Sequence, residues 1–273
     1  MSRWHITSET FEPNWWESDR YLPLLDADGR HWAWVWLKRN AQHQDTVRHR
    51  LAETQILSER AGFCLATPNL DRLFWDGIYL HADRQGDGDQ AARLFWRPKI
   101  DPSVLTVTAE PIAASHADAF DVARFADMVD IVRDKRGREM CLLAGGSHQI
   151  QLEIGEGTLT NGPVRLRFDF GGLSNIDAKL RTVMRLASLR RFGRFASDLF
   201  PRESGASKWI KAVQAYDGLA AGASQREIAG VLFGERTVRE EWNGRSDFLR
   251  LRIQRLLTYA RDMIDGGYKK HFH

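Results

Sequence analysis

The residues with the clearest chemical purpose are arginine and glutamine side chains near the carboxyl terminus. Arg250 and Gln254 lie one helical turn apart, in a segment that begins near Ser246. Arginine binds guanine, and glutamine binds adenine, through two hydrogen bonds to the base edge. Arg250 and Gln254 are therefore the predicted base contacts of a DNA-binding helix. Other residues nearby are predicted to bind the backbone and fix the position of the protein on the duplex: Arg245, Ser246, Arg252 and Arg255.

Charge is unevenly distributed along the 273 residues. The net charge of the whole chain is only +3, but residues 164–273 contain 21 Lys and Arg against 12 Asp and Glu, and residues 1–163 contain 18 against 24. A basic module attracts nucleic acid because each phosphate that it neutralises releases condensed counterions. The distribution favours double-stranded DNA as the partner, and a merely solvated basic face is the alternative.

A short capped helix lies inside the basic region. Ser224 and Glu227 have the spacing of a capping box, in which two side chains satisfy backbone donors at the start of a helix. Gly222 and Gly234 bound a helix of roughly ten residues, and a short helix after a tight glycine turn is typical of the first half of a helix-turn-helix motif. The polar residues at its start are also predicted DNA contacts: Ser224, Gln225 and Arg226.

Two later segments compete for the role of the helix that enters the groove. Thr237 and Glu240 form a second possible capping box and predict a very short helix through Trp242. A longer helix from Ser246 places a stripe of apolar residues towards a core, and its opposite surface carries the arginines. The longer helix is the preferred candidate. Its predicted core stripe consists of Leu249, Ile253, Leu256, Ala260 and Ile264.

Tryptophan dominates the amino-terminal region. Trp32, Trp34 and Trp36 alternate as in a half-buried strand, but they follow a turn at 26–29 and precede helix-compatible residues, so a helix is the preferred prediction. The rings could stack on nucleic-acid bases, and the alternative is a docking surface for a partner or a small aromatic core.

The remaining segments predict an α+β fold with three consecutive domains. Residues 63–110 and 139–154 contain short apolar runs typical of β-strands, whereas residues 117–133 predict a helix. After Pro163 the chain is predicted to be helical, beginning with a cap at Ser174 and Asp177. The predicted domains are a Trp-rich helical region at 1–58, a β-rich middle at 59–163, and an all-helical helix-turn-helix-type domain at 164–273.

The sequence disfavours an enzyme. It has no phosphate loop, no His-Glu-x-x-His metal site and no complete dinucleotide fingerprint, so neither a metal nor another cofactor is expected. Cys64 and Cys141 are its cysteines, and two reduced thiols are the simplest interpretation. The lack of a long apolar run and of a signal peptide predicts a cytoplasmic protein.

The carboxyl-terminal third resembles a proteobacterial family of helix-turn-helix variants, found in FseA-type activators and QseM-type antiactivators of integrative and conjugative elements. The matching residues are Ala221-Gly-Ala-Ser-Gln-Arg-Glu-Ile-Ala229, Leu232-Phe-Gly234, Trp242, Ser246, Leu249-Arg250, Arg252, Arg255-Leu256 and Gly266-Gly-Tyr268. The segment Trp32-Ala-Trp-Val-Trp-Leu-Lys-Arg-Asn40 is similar to the small amino-terminal domain that accompanies this module in activators. The resemblance implies a full-length transcriptional activator that controls excision of the element.

The predicted function is therefore sequence-specific DNA binding by a transcriptional activator, with RNA polymerase or an antiactivator protein as its protein partner. The alternative is a protein-binding adaptor or antiactivator that regulates another transcription factor without binding DNA itself. A fragment from Val164 onward is expected to fold and bind DNA alone.

Overall fold

The computed structural model describes residues 14–42, 59–60, 64–67, 78–80, 94–134, 136–242 and 247–271. The chain divides into two compact units. The helical unit comprises Met1–Arg48 and Arg202–His271, and the sheet unit comprises His49–Pro201 with Phe272–His273. The α+β fold class predicted from the sequence is confirmed. The three-domain division remains a prediction about separately folding segments.

The elements follow one another in an order that separates strands from most helices. The helices are α1 (Gly29–Leu37), α2 (Ile176–Phe192), α3 (Ala206–Ala220), α4 (Gln225–Phe233), α5 (Glu235–Glu241) and α6 (Phe248–Ile264), with 3₁₀ helices at Ser18–Asp26, Val122–Phe125, Ser197–Leu199 and Gly267–His271. The strands are β1 (Glu59–Arg60), β2 (Cys64–Thr67), β3 (Ile78–Leu80), β4 (Leu94–Trp96), β5 (Leu105–Pro111), β6 (Val129–Asp134), β7 (Glu139–Gly145), β8 (His148–Gly157) and β9 (Val164–Asp169).

The sheet unit is built on a mixed seven-stranded sheet in the order β1-β2-β6-β7-β8-β5-β9. The β2–β6 and β5–β8 pairs are parallel and the other neighbours are antiparallel. β7 is buried on both faces, as expected for its continuous apolar run. Cys141, Leu143 and Leu189 belong to a core between one face and α2, while Phe95 and Leu142 belong to a second core that includes residues of β4 and β7.

Two segments of the sheet unit differ from their predicted structure. The helix expected at 117–133 was wrong, because only Val122–Phe125 forms a helical turn and Val129–Asp134 is strand β6. Val129 and Val132 fit a helical spacing, but pairing with β2 and β7 on both sides overrides that local pattern. The expectation of helix directly after Pro163 was also wrong, since β9 extends the sheet.

Helix α2 exists where it was expected, but its start differs. It begins after Asn175, which has φ 59°, and the Ser174–Asp177 cap does not form. Its buried residues are Ala178, Thr182, Leu186 and Leu189. Leu180, an apolar residue of the same helix, is exposed.

The core of the helical unit joins the amino-terminal segment to α3 and α6. Trp32 stacks on Trp36 with ring centroids 5.8 Å apart, and Trp209 of α3 meets Trp32 edge to face at 5.2 Å. Trp36 contacts Tyr259 of α6 in the same edge-to-face manner, with the ring centroids 6.2 Å apart. The predicted helix over the tryptophans is thereby confirmed as α1, which is capped by Asp28.

A buried ion pair fixes this junction. The Arg39 guanidinium donates from Nε to Asp217 Oδ1 at 2.7 Å and from Nη2 to Oδ2 at 2.6 Å. Tyr21 donates to the same carboxylate at 2.9 Å, and Arg39 also donates to the Val35 carbonyl. Asn40 donates to the carbonyl of Ile264 at the end of α6. Residues 14–42 are therefore part of the helical unit and stabilise it from the far end of the sequence.

Across the described residues, no helix combines the length and apolar character required to cross a membrane.

Candidate DNA-binding site

The candidate site begins at the turn between α3 and α4. Gly222 has φ 87°, a left-handed conformation that glycine adopts without steric cost, and it lets the chain reverse after α3. Ser224 then caps α4: its hydroxyl accepts from the Glu227 amide at 3.3 Å, and its own amide donates to Glu227 Oε2 at 2.7 Å. The predicted capping box is confirmed. The Ser224 hydroxyl also donates to Glu227 Oε2 at 2.7 Å, and this bond, followed by the bond from the Ser224 amide, favours the charged carboxylate and lowers the pKa of Glu227.

Helices α4 and α5 form a tight pair. Gly234, with φ 90° and ψ 142°, is the single residue that separates them. Ile228 and Ala229 of α4 are fully buried, and Leu232 is half-buried. The second capping box was wrong, because α5 begins two residues before Thr237 and has no side-chain cap. Glu240 instead pairs with Arg236 at 2.9 Å.

Helix α6 separates an apolar face from a basic one. All five residues of its predicted core stripe are buried. Its exposed side carries Arg250, Arg252, Gln254, Arg255 and Arg261. An amphipathic helix of 17 residues with this arrangement presents several guanidinium groups to one partner.

Aromatic side chains from both ends of α5 hold two of these arginines. The Arg252 guanidinium carbon lies 4.3 Å from the centre of the Phe233 ring, and the Arg250 guanidinium carbon lies 5.7 Å from the Trp242 ring centre. Lys211 of α3 also faces Phe233, with its Nζ 5.8 Å from the ring centre. Cation–π contacts restrict the motion of a guanidinium group without neutralising its charge. The arginines therefore remain available to an anionic ligand.

The predicted DNA contacts occupy two stretches of the helical unit. Ser224, Gln225 and Arg226 lie at the start of α4, where Ser224 acts as the helix cap and Gln225 is half-buried. Arg250, Arg252, Gln254 and Arg255 are exposed along α6. Arg250 also makes an exposed ion pair with Asp247 at 3.3 Å. Arg245 and Ser246 lie outside the described residues.

Sequence reasoning did not assign roles to Lys211, Phe233 or Trp242. Phe233 and Trp242 were already among the residues of the family resemblance. Phe233 lies before α5 and Trp242 lies after it, and arginines follow at 250 and 252. This arrangement was the sequence signal that could have predicted the contacts between the aromatic rings and the arginines.

Some of the basic residues counted in residues 164–273 serve the sheet unit instead. Arg185 donates to the Leu199 carbonyl at 2.9 Å, and Arg190 donates to the Ala119 carbonyl at 2.9 Å. Lys179 donates to the carbonyl of Phe170. These three side chains stabilise the packing of α2, so the stronger candidates for DNA contact are on α4 and α6.

The three tryptophans proposed for partner binding are not equally accessible. Trp32 and Trp36 are fully buried in the helical unit, whereas Trp34 is half-buried. Burial favours the aromatic-core explanation for Trp32 and Trp36. A partner that docks on this helix would meet Trp34 first.

Comparison with known families supports the class of function. Residues 169–272 match a family model named RovC_DNA-bd and described as "T6SS, Transcription factor, DNA binding domain". The match begins at the end of β9 and includes α2 to α6. No curated protein matches the chain. The similarity covers the carboxyl-terminal part of the chain, agrees with the basic surface of α6, and supports a DNA-binding regulator.

Proposed function

We propose that the protein is a sequence-specific transcriptional activator that binds double-stranded DNA through α6, with additional contacts from the start of α4. The observation that carries this proposal is the exposed arginine face of α6, which lies opposite a completely buried apolar stripe. Arg250 and Gln254 are the proposed base contacts. Arg252 and Arg255 are the proposed phosphate contacts.

The charges favour α6 over α5 as the helix in the groove. On α5, Arg236 and Arg239 are accompanied by three acids, Glu235, Glu240 and Glu241, and Arg236 is paired with Glu240. On α6, four exposed arginines are accompanied by two acids, Asp262 within the helix and Asp247 at its N-cap, which pairs with Arg250. A helix that approaches phosphates needs a net positive surface, so α6 is the better candidate.

Two sets of genes are candidate targets. The resemblance of both ends of the chain to activators of integrative elements supports control of excision or conjugative transfer. The description of the matched family, a T6SS transcription factor, supports T6SS genes as the second set of targets. Mapping the bound sites across the native genome separates them, since the bound promoters will lie beside one set or the other.

A salt titration of the purified full-length protein tests DNA binding itself. Affinity for a fluorescent duplex is expected to fall linearly on a log–log plot, with a slope of about −2 if Arg252 and Arg255 each neutralise one phosphate. The Arg255→Ala variant is expected to reduce that slope by about one. Arg167→Ala is the matched control, because Arg167 is an exposed arginine of β9 and should not alter the slope.

An absence of affinity at low salt would overturn the proposal. In that case the alternative, an adaptor or antiactivator that docks on another regulator, would explain the molecule better. Docking through aromatic contacts such as Trp34 depends little on salt.

A further inference from the structure

Helix α6 exposes two large apolar side chains on its basic face. Phe248 is 58% exposed and Leu251 is 46% exposed, although the described part of α3 to α6 otherwise buries its large apolar residues at least in part. Residues three apart lie on the same side of a helix, so the two side chains are neighbours, and Arg255 continues their line by one further turn. Exposed apolar groups surrounded by polar residues mark interaction surfaces.

The arginines on either side border this pair. Arg250 and Arg252 are two residues apart and project to opposite sides of the helix, with Leu251 between them. Each guanidinium is held against an aromatic ring, Trp242 for Arg250 and Phe233 for Arg252. Phe248 and Leu251 therefore form an apolar strip with an arginine on each side, of which Arg250 also makes an exposed ion pair with Asp247.

Duplex DNA has the complementary arrangement. Its major groove is bordered by two phosphate backbones, and the C5-methyl group of thymine is the apolar group displayed on its floor. A positive border would discourage a partner whose docking face is purely apolar, whereas it suits phosphates.

We propose that Phe248 and Leu251 contact thymine C5-methyl groups, which makes them specificity-determining residues for sites that contain thymine. This inference rests on the proposed function, namely that α6 enters the major groove. Arg250 and Arg252 then lie at the two sides of the strip, where base edges and phosphates are within the range of long side chains.

The test compares thymine with uracil, which lacks only the methyl group. A duplex is selected from a random-sequence library by the full-length wild-type protein, and it is then synthesised with thymine or with deoxyuridine throughout. The wild type is expected to bind the uracil duplex about fourfold more weakly for each methyl group that the strip buries in the thymine duplex, the factor that corresponds to one buried methylene-sized group. In the Phe248→Ala and Leu251→Ala variants the thymine-to-uracil ratio is expected to fall towards one.

Leu22→Ala is the matched control. Leu22 belongs to the same unit and is 51% exposed, so its replacement removes a similar apolar surface away from α6. Its thymine-to-uracil ratio should equal that of the wild type. All three side chains are exposed, so circular dichroism should show an unchanged fold.

Loss of the methyl contacts and loss of DNA binding would give different results. Equal wild-type binding to both duplexes, with a steep salt dependence, would overturn the methyl contacts and leave DNA binding intact. A change of oligomeric state in Phe248→Ala without a change in the ratio would also overturn them and assign the strip to a second copy of the chain. Failure to bind any duplex would overturn both.

Discussion

The helical unit uses arginine in two opposite ways, in its amino-terminal segment and on α6. Arg39 is 3% exposed, and its guanidinium donates hydrogen bonds to Asp217 and to the Val35 carbonyl. Arg250, Arg252 and Arg255 are exposed, and aromatic rings contact Arg250 and Arg252. The same residue type therefore fixes the fold in one region and supplies exposed positive charge in the other.

Burial decides which role each arginine has. A buried ion pair depends on both partners, because removing one leaves a charge that is neither hydrated nor paired. An exposed ion pair such as Arg250 with Asp247 contributes little to stability, since water and salt screen it. Substitution of the two kinds of arginine should therefore separate stability from DNA binding.

The largest expected effect is on stability. Arg39→Ala leaves the Asp217 carboxylate buried and without its bidentate partner, and it should lower the free energy of unfolding by about 3–5 kcal/mol. Urea denaturation followed by tryptophan fluorescence measures the decrease. Adding Asp217→Asn to Arg39→Ala should recover part of it, because the second substitution removes the buried charge.

Arg226→Ala is the control for this experiment. Arg226 is exposed at the start of α4, and its replacement should change stability by no more than about 0.5 kcal/mol. If Arg39→Ala were as mild as Arg226→Ala, the buried pair would not be what holds the amino-terminal segment in place.

This pair also shows where sequence reasoning stops. The capping box at Ser224, the glycine turns and the core stripe of α6 were predicted because each has a local signature of a few residues. Arg39 and Asp217 are 178 residues apart, and no local pattern links them. That a fragment from Val164 folds alone stays a prediction, and such a fragment would lack residues 14–42 and leave Asp217 without Arg39.

The sheet unit gave a different kind of error. β9 alternates Val164, Leu166 and Phe168 with polar residues, which is a strand signal that the basic composition of the region obscured. β6 was harder to predict, because its apolar residues also fit a helix and only its position between β2 and β7 decides the outcome. For the candidate site, the charge pattern predicted the arginines of α6, but the rings that position them required the structure.

The second-largest expected effect is on the preference of the protein for selected over random DNA. Arg250→Ala should weaken binding to a selected duplex by about 1–3 kcal/mol while binding to random DNA changes little, because the substitution removes a base-specific interaction and keeps most interactions with phosphate. A competition gel shift with random duplex measures the two affinities. Equal weakening for selected and random DNA would make Arg250 a phosphate-binding residue.

Arg236→Ala on α5 is the matched control, and it also discriminates between the two candidate helices. Arg236 is 88% exposed and paired with Glu240, so its removal should leave the preference intact if α6 occupies the groove. A loss of preference in Arg236→Ala, with none in Arg250→Ala, would assign the groove to α5.

The smallest expected effect concerns the cap of α4. Ser224→Ala removes the hydroxyl that accepts from the Glu227 amide, and loss of an N-cap costs about 1 kcal/mol of stability. Ser207→Ala is the control, because Ser207 lies exposed within α3 and alanine favours a helix interior. The two variants should therefore differ at neutral pH, by thermal or urea denaturation.

Acid should reduce this difference. Hydrogen bonds from Ser224 lower the pKa of Glu227 in the folded protein, so their contribution is present above the unfolded pKa and is lost as pH falls through the folded one. Well below the ordinary Glu value of 4.5, the protonated carboxyl no longer favours the cap, so the difference between wild type and Ser224→Ala should shrink to the contribution of the bond from the Glu227 amide. A difference that stays constant into acid would show that the hydroxyl stabilises α4 independently of the Glu227 charge.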